Sequence, residues 1–466
     1  MTYTGNTLID LGFEPGPHFE LMLKVGNSMG DHDCDPARIL EVLQEIYDDA
    51  NFVPETIPLK ESGTYDLFMD EGRNEFELTN TAAVAKTMDV LVKTPTIVNA
   101  AVMPDACPAG SEGTIPVGGV VSALNAIHPG MHSADICCSM YLTTVNVDRN
   151  VSDVLDAVQK RSHFGPGGRP DLQGVVLSDI LEDVLDRAKN NTFMNNVPMR
   201  KAMTEHMGTQ GDGNHFFYVG KRESTGKLTF VTHHGSRKPG ALLYKAGMKV
   251  ADSFRLKLSP DTLKQNAWIP SDTPEGEQYW EALQIIREWT KINHNVIHTM
   301  VMDELGISDD DVSDRFWNEH NFVFRDKDVF HHAKGSTPVK NTADDADQWG
   351  RTIIPLNMGE PILLVTNHIN NYWGFAPHGA GRNMSRTQFS KLNAGKTNEE
   401  IIQEQAGHID ARFYTGTPDR SELPGAYKDA AEIQRQIESY GLANIVDRVL
   451  PLGSMMAGES YQPWRK

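Results

Sequence analysis

Apolar side chains in the first hundred residues recur at helical spacing. The stretch "DPARILEVLQEIYDDAN", residues 35–51, opens with Asp35 as an N-cap and Pro36 at the first helical position. Ile39, Leu40, Leu43, Ile46 and Tyr47 then mark one face, which predicts an amphipathic helix with an acidic outer side. The preceding "DHDCD", residues 31–35, reads as a charged loop leading into that helix rather than as a metal cluster. Beyond residue 95 the texture changes. "TIVNAAVM" and "MYLTTVNV" read as strands, separated by the Gly- and Pro-rich loops "PAGSEGTIPVGG" and "HPGMHSADICC". Helices are predicted over about 152–162, 243–257, 276–304, 397–407 and 427–440. Thr397 and Glu400 stand in capping-box spacing, and Gly441 ends the last helix. Strands and helices mix without a regular βαβ rhythm, which predicts an α+β fold.

Composition adds bounds to this picture. The 466 residues suffice for one large domain or two to three ordinary ones. There is no apolar run of 18 or more residues, so no membrane span is expected. The N-terminal "MTYTGNTLID" lacks the pattern of a secretory signal. Four cysteines are too few for a disulfide scaffold of this length, so a reducing cytoplasm is the expected location. The formal net charge of −20 is unfavourable for a nucleic-acid binder, but it is uneven. Residues 1–95 hold 18 acidic and six basic side chains, which leaves room for a local basic surface further on. The expected organisation is an acidic, helix-rich N-terminal segment, residues 1–94, packed on a catalytic domain, residues 95–466.

Candidate chemistry clusters in the loops and strand ends. In "SADICCSM", residues 133–140, Asp135 precedes the adjacent Cys137 and Cys138. On a regular strand Asp135 shares a face with Cys137; in a turn it meets Cys138 instead. In "GTQGDGNHFFYVGKRESTGKLTFVTHHGSRKPG", residues 208–240, two β-rich runs flank the turn Glu223-Ser224-Thr225-Gly226. If Arg222 pairs with Lys227, opposed residue numbers sum to about 449, and His215 falls opposite His233 or His234. A single strand-end histidine is ordinarily structural. Several beside Gly, Asn or Arg, together with thiol and carboxylate, make the ligand set of a transition-metal site. "PHGAGRNMSR", residues 377–386, sets His378 before small residues and then Arg382 and Arg386. Such a loop suits a histidine nucleophile toward phosphorus with arginines for phosphates, or a Gly-rich turn with two solvated arginines.

Eight fragments, taken in order, resemble the RtcB family of RNA-splicing ligases. They are "MPD" (103–105), "IPVGG" (115–119), "ADICCSM" (134–140), "GTQGDGNHF" (208–216), "HHGSR" (233–237), "EHNF" (319–322), "KGST" (334–337) and "HGAGRNMSR" (378–386). "ELPGAYKDAAEI" (422–433) is similar to the same family's C-terminal region, and the likeness spans roughly residues 95–455. The resemblance implies a mixed-sheet catalytic domain with a central metal and nucleotide cleft. It implies joining of RNA 3'-phosphate or 2',3'-cyclic phosphate ends to 5'-hydroxyl ends, with GTP and two Mn²⁺ as cofactors. The expected partners are RNA ends, such as tRNA or rRNA fragments, in tRNA splicing or RNA repair. His378 takes the place of the histidine that carries GMP. One metal falls to Asp135, Cys138 and His215, and the other to Cys138, His233 and His320. Asn214, Asn357, Gly379, Gly381 and Arg382 fall at nucleotide-contacting positions. Because thiolate is softer than manganese's usual oxygen ligands, Zn²⁺ is an alternative. An activating protein partner and self-association are two roles open to the acidic segment.

Several positions depart from the family's pattern. Cys107 stands where His is usual, Cys137 and Ser139 replace glycines, and His234 replaces a serine. Ala333 replaces an arginine, Asn357 a serine, and "MMAG", residues 455–458, lacks the lysine that contacts guanine. These departures keep two alternatives in view: a metal-dependent phosphohydrolase or nucleotidyltransferase reusing the site, and an inactive protein that binds RNA ends.

Overall fold

The computed structural model describes residues 2–51, 56–169, 179–340 and 350–459. It divides into two compact units, Met1–Ile57 and Pro58–Lys466. The first unit holds the helices Gly5–Asp10, Phe19–Asp31 and Pro36–Asn51. As its sequence predicts, the third helix follows Asp35, whose side chain accepts from the Ala37 amide at 3.2 Å. Ile39 and Leu43 join Leu8 and Met22 in a small core, while Leu40 lies at the exposed edge of the apolar face.

Residues 58–94, grouped with the acidic segment in the sequence, fold within the larger unit. The helix Glu75–Leu91 buries Val84, Met88 and Leu91 with Ile97, Ala100 and Val102 of the strand Ile97–Cys107. That strand belongs to a five-stranded sheet, ordered 66–67, 97–107, 117–124, 329–334, 321–326. The main sheet runs 312–319, 139–145, 228–234, 216–222, 443–456, 362–367, 351–354, with 410–413 added beside 443–456. Along the main path every pairing is antiparallel. The long helix Pro274–Glu304 packs behind strands 139–145 and 228–234 and buries Tyr279, Leu283, Ile286 and Trp289. Strand Ser139–Val145 is thereby buried at every position, as a sheet covered on both faces requires. Helices and mixed sheets without βαβ alternation make this the α+β fold expected.

Local signals hold closely. The turn at 223–226 closes with the Arg222 amide donating to Lys227 O at 2.9 Å, and Phe216 pairs with His233, so paired residue numbers sum to 449. Thr397 and Glu400 form the capping box of helix Asn398–Ala406. The last helix is shorter than its periodicity suggests, Ala430–Ser439, because Asp429 caps the Glu432 amide and Tyr427 is extended.

Candidate functional site

Four neighbouring strands end at one edge of the main sheet. Glu319 pairs with Ser139, and Ser139 with His234; Met140 pairs with His233, and His233 with Phe216. The residues at or just beyond these ends, His320, Cys138, His233 and His215, therefore converge without any being near another in sequence. Cys138 Sγ lies 3.2 Å from His233 Nε2 and 3.6 Å from His215 Nε2. His215 Nε2 lies 3.1 Å from Asp135 Oδ2, and His233 Nε2 lies 3.1 Å from His320 Nε2. Two groups of metal-ligand atoms result: Asp135, Cys138 and His215, and Cys138, His233 and His320, with Cys138 common to both.

Adjacent residues separate by face. His233 turns to the site, whereas His234 turns to the core and stacks on His294 with ring centroids 3.4 Å apart. Cys138 turns to the site through a turn in which its amide donates to Asp135 O at 3.2 Å. Cys137 has φ +57°, a left-handed value that favours glycine, and its thiol is buried in the core. Both cysteines are free thiols.

The surroundings prepare the imidazoles as ligands. His215 Nδ1 donates to Gln210 O at 2.7 Å, and His233 Nδ1 donates to Asn214 O at 3.0 Å. These bonds place each ring's lone pair on Nε2, toward Cys138. Burial, reinforced by the neighbouring His215, lowers the His233 pKa to about 3. Burial, with His378 and His233 beside it, takes His320 well below its ordinary value. Burial pushes the Asp135 carboxyl up, but the His215 imidazole, the Cys138 hydrogen bond and the Arg237 charge outweigh it and hold the carboxyl low. Burial and the adjacent Asp135 push the Cys138 thiol up. Two neutral imidazole nitrogens 3.1 Å apart share at most one proton between them, and His320 Nδ1 is buried without a partner. A cation between the Nε2 atoms, the sulfur and the carboxylate satisfies the facing imidazole nitrogens, so these residues fit a pair of divalent ions.

A cleft of about 280 Å³ opens over this cluster, and Asp135, Cys138, Asn214, His233, His320, Asn357, His378, Gly379, Gly381 and Arg382 all line it. His215 lies just behind the wall, against Asp135 and Cys138. His378 follows the strand Phe375–Pro377, and its ring sits 4.7 Å from that of His320. Its Nδ1 donates to Asp105 Oδ2 at 2.6 Å, and its backbone amide donates to the same oxygen at 3.2 Å. Gly381 is required here: φ is +71°, and a Cβ would lie 1.9 Å from Asp105 O.

The sequence did not single out Asp105 or Lys428. The Lys428 Nζ donates to Pro104 O at 2.9 Å and Ala106 O at 2.7 Å, clamping the peptides on either side of Asp105. Asp105 lies in "MPD" and Lys428 in "ELPGAYKDAAEI", and the local pattern of neither fragment marks its role. The arginines read as phosphate holders are already engaged. Arg382 donates to Ser421 O at 2.6 Å, stacks over Tyr427 and faces Glu422. Arg386 donates to Ser421 Oγ at 2.7 Å and pairs with Asp419 and Glu422. Glu422 and Tyr427 themselves line the cleft.

A thiol, carboxylate and imidazole cluster spaced for metal ions, beside a carboxylate-held histidine and facing one cleft, marks a site suited to phosphoryl chemistry. The family model described as "RtcB: tRNA-splicing ligase RtcB" matches residues 88–457, and the chain belongs to this family. Among curated relatives, the tRNA-splicing ligase RtcB of Aeropyrum pernix is 25% identical over 76% of this chain and 86% of its own length. The protein of the same description from Thermococcus kodakarensis is 24% identical over 76% and 86%. RNA-splicing ligase RtcB homolog 2 of Entamoeba dispar is 23% identical over 83% and 86%.

Proposed function

We propose that this protein is an RNA ligase that joins RNA 3'-phosphate or 2',3'-cyclic phosphate ends to 5'-hydroxyl ends through GMP carried on His378. The observation that carries the reading is the paired hold of Asp105 on His378. A carboxylate accepting from Nδ1 leaves the lone pair on Nε2, the atom a nucleophilic histidine uses. The relatives' description as RNA-splicing or tRNA-splicing ligases supports RNA as the substrate class.

Two divalent ions would be held by Asp135, Cys138 and His215 and by Cys138, His233 and His320. When bound, they supply neutralisation of phosphate charge and polarisation of phosphorus. Their ligand set suits Mn²⁺ or Zn²⁺. His378 Nε2 attacks the α-phosphorus of GTP, forming an N–P bond and releasing pyrophosphate. Asp105 holds the ring in the productive tautomer and balances the positive charge it gains. GMP then passes to an oxygen of the RNA 3'-phosphate, which frees His378. The 5'-hydroxyl attacks that phosphorus, the phosphodiester forms, and GMP departs. A cyclic end is first opened by water to the 3'-phosphate.

The test is incubation with labelled GTP and manganese. Acid-labile, alkali-stable label on the chain, lost in His378→Ala, is the expected result. Absence of label from metal-loaded protein overturns the reading. One observation favours a phosphohydrolase or an RNA-end binder instead: the cleft wall near the C-terminus is apolar, with Met456 lining it and Ala457 buried. That second reading requires a filled metal site and no labelled histidine.

A further inference from the structure

The helix Arg237–Leu258 begins where the metal-ligand cluster ends. The Ser236 hydroxyl donates to Ile136 O at 2.5 Å, and a Cβ on Gly235 would lie 2.0 Å from Asp135 Oδ1. The helix N-terminus thus abuts the loop that carries Asp135 and Cys138. In a chain of net charge −20, this helix holds six basic residues and a single acidic one, Asp252. Asp252 is occupied, pairing with Arg255 at 2.8 Å and Lys264 at 2.9 Å.

Three of the basic residues form a line. Lys238, Lys245 and Lys249 are exposed. At about 100° per residue, the seven- and eleven-residue steps bring them within roughly 20° of one generator of the helix. Leu243, Gly247 and Ala251 occupy the opposite, buried side. Among the described residues, no carboxylate lies within 4.0 Å of the three ammonium groups, whereas Lys86, Lys221 and Lys396 are each paired, to Glu112, Asp148 and Glu404. The line starts three residues beyond Gly235 and runs about 16 Å along the helix. At a rise of about 3.4 Å per nucleotide it spans some five phosphates.

We propose that Lys238, Lys245 and Lys249 form a track for the phosphodiester backbone of an RNA strand whose end occupies the cleft. The inference rests on the ligase reading for the presence of an RNA end, and on charge complementarity for the track. The lysines act as point charges on backbone phosphates and read no sequence. They hold the strand as it leaves the metal centre, so the reacting end stays aligned through the successive transfers.

The experiment measures binding of a 20-nucleotide single-stranded RNA with a 3'-phosphate between 50 and 200 mM salt. It compares the wild-type chain with the triple variant Lys238→Gln, Lys245→Gln, Lys249→Gln. A control, Lys86→Gln, Lys221→Gln, Lys396→Gln, removes the same formal charge from paired lysines. Metal content and thermal unfolding verify that each variant is folded. Three lost phosphate contacts lower the slope of log affinity against log salt by about 2, so wild-type affinity falls roughly 20-fold further than the variant's over this range. An unchanged slope in the track variant, or an equal loss in the control, overturns the track alone. A wild-type chain that binds no RNA overturns the track and the ligase reading together.

Discussion

Asp105 Oδ2 accepts two hydrogen bonds from His378, one from ring Nδ1 at 2.6 Å and one from the backbone amide at 3.2 Å. The ring is thereby fixed both in position and in tautomer, by a fully buried carboxylate whose flanking peptides Lys428 holds through Pro104 O and Ala106 O. A residue held from two sides has little freedom to present the wrong nitrogen. In the proposed reaction the pair separates orientation, which Asp105 supplies, from nucleophilic attack, which falls to Nε2.

Asp105→Asn tests that division. The amide keeps its oxygen on Nδ1 and on the His378 backbone amide but carries no charge, so the positive charge that the ring gains on nucleotide transfer is left unbalanced. We expect single-turnover labelling of His378 by GTP to slow by at least about 100-fold, by analogy with other carboxylate-held catalytic histidines. Metal content stays near the wild-type value, because Asp105 is not among the metal-ligand atoms. A variant that labels at the wild-type rate shows that Asp105 serves packing only.

Gly381→Ala attacks the same unit from the backbone. Its φ of +71° costs an L-residue roughly 1–2 kcal/mol, and its Cβ would collide with Asp105 O at 1.9 Å. The backbone cannot relax by a side-chain rotation, so the loop carrying His378 must move away from Asp105. We expect a lower melting temperature together with lost labelling. By contrast Gly395, which has open space around its Cβ position, accepts alanine with little change in either measurement.

Acid stability follows from a different cluster. Arg222 lies 2.9 Å from Asp314 and 2.7 Å from Asp447, and Arg351 holds Asp314 at 2.8 Å. Burial pushes both carboxyls up, but Arg351 and Arg222 beside Asp314, and Ser224 and Arg222 beside Asp447, outweigh it and hold both below the usual carboxylate range. A depressed folded-state pKa adds stability that is fully present above the unfolded value of about 3.9 and is lost as pH falls through the folded value. Arg222→Met leaves two partly buried carboxylates short of a partner, at a cost of about 2–4 kcal/mol at pH 7. The gap between wild type and variant should narrow below about pH 4, where the orphaned carboxylates are neutralised. Urea unfolding at pH 7 and pH 3.5 measures it; a gap that widens in acid contradicts the assignment.

The site was legible where local rules fix geometry. The turn at 223–226 set the hairpin register, and the register brought His215 to His233. Whether His233 or His234 faced the site depended on helix Pro274–Glu304, which claims His234 for the core through His294; strand spacing does not contain that contact. Asp105 and His378 lie 273 residues apart, and no local pattern joins them. Arg382 and Arg386 read as free cations because their partners, Asp419, Ser421 and Glu422, come from a separate loop. Residues 58–94 carry an acidic excess like the first unit, but their helix buries its apolar face against strand Ile97–Cys107. Charge marks surface, whereas unit membership follows burial.

The two adjacent cysteines give the sharpest separation of roles. Cys138 Sγ is common to both groups of ligand atoms, while Cys137 points into the core from a left-handed backbone. Cys138→Ala removes a ligand from each metal and leaves the facing imidazoles without an anion, so we expect bound metal, measured by mass spectrometry of the native protein, to fall to near zero. Cys137→Gly relieves the unfavourable φ of +57° but gives up a small buried side chain. The two effects are each of order 1 kcal/mol and oppose one another, so stability should change little and metal content should stay close to wild type. Retained metal in Cys138→Ala combined with lost metal in Cys137→Gly would show that the neighbouring thiol is the ligand.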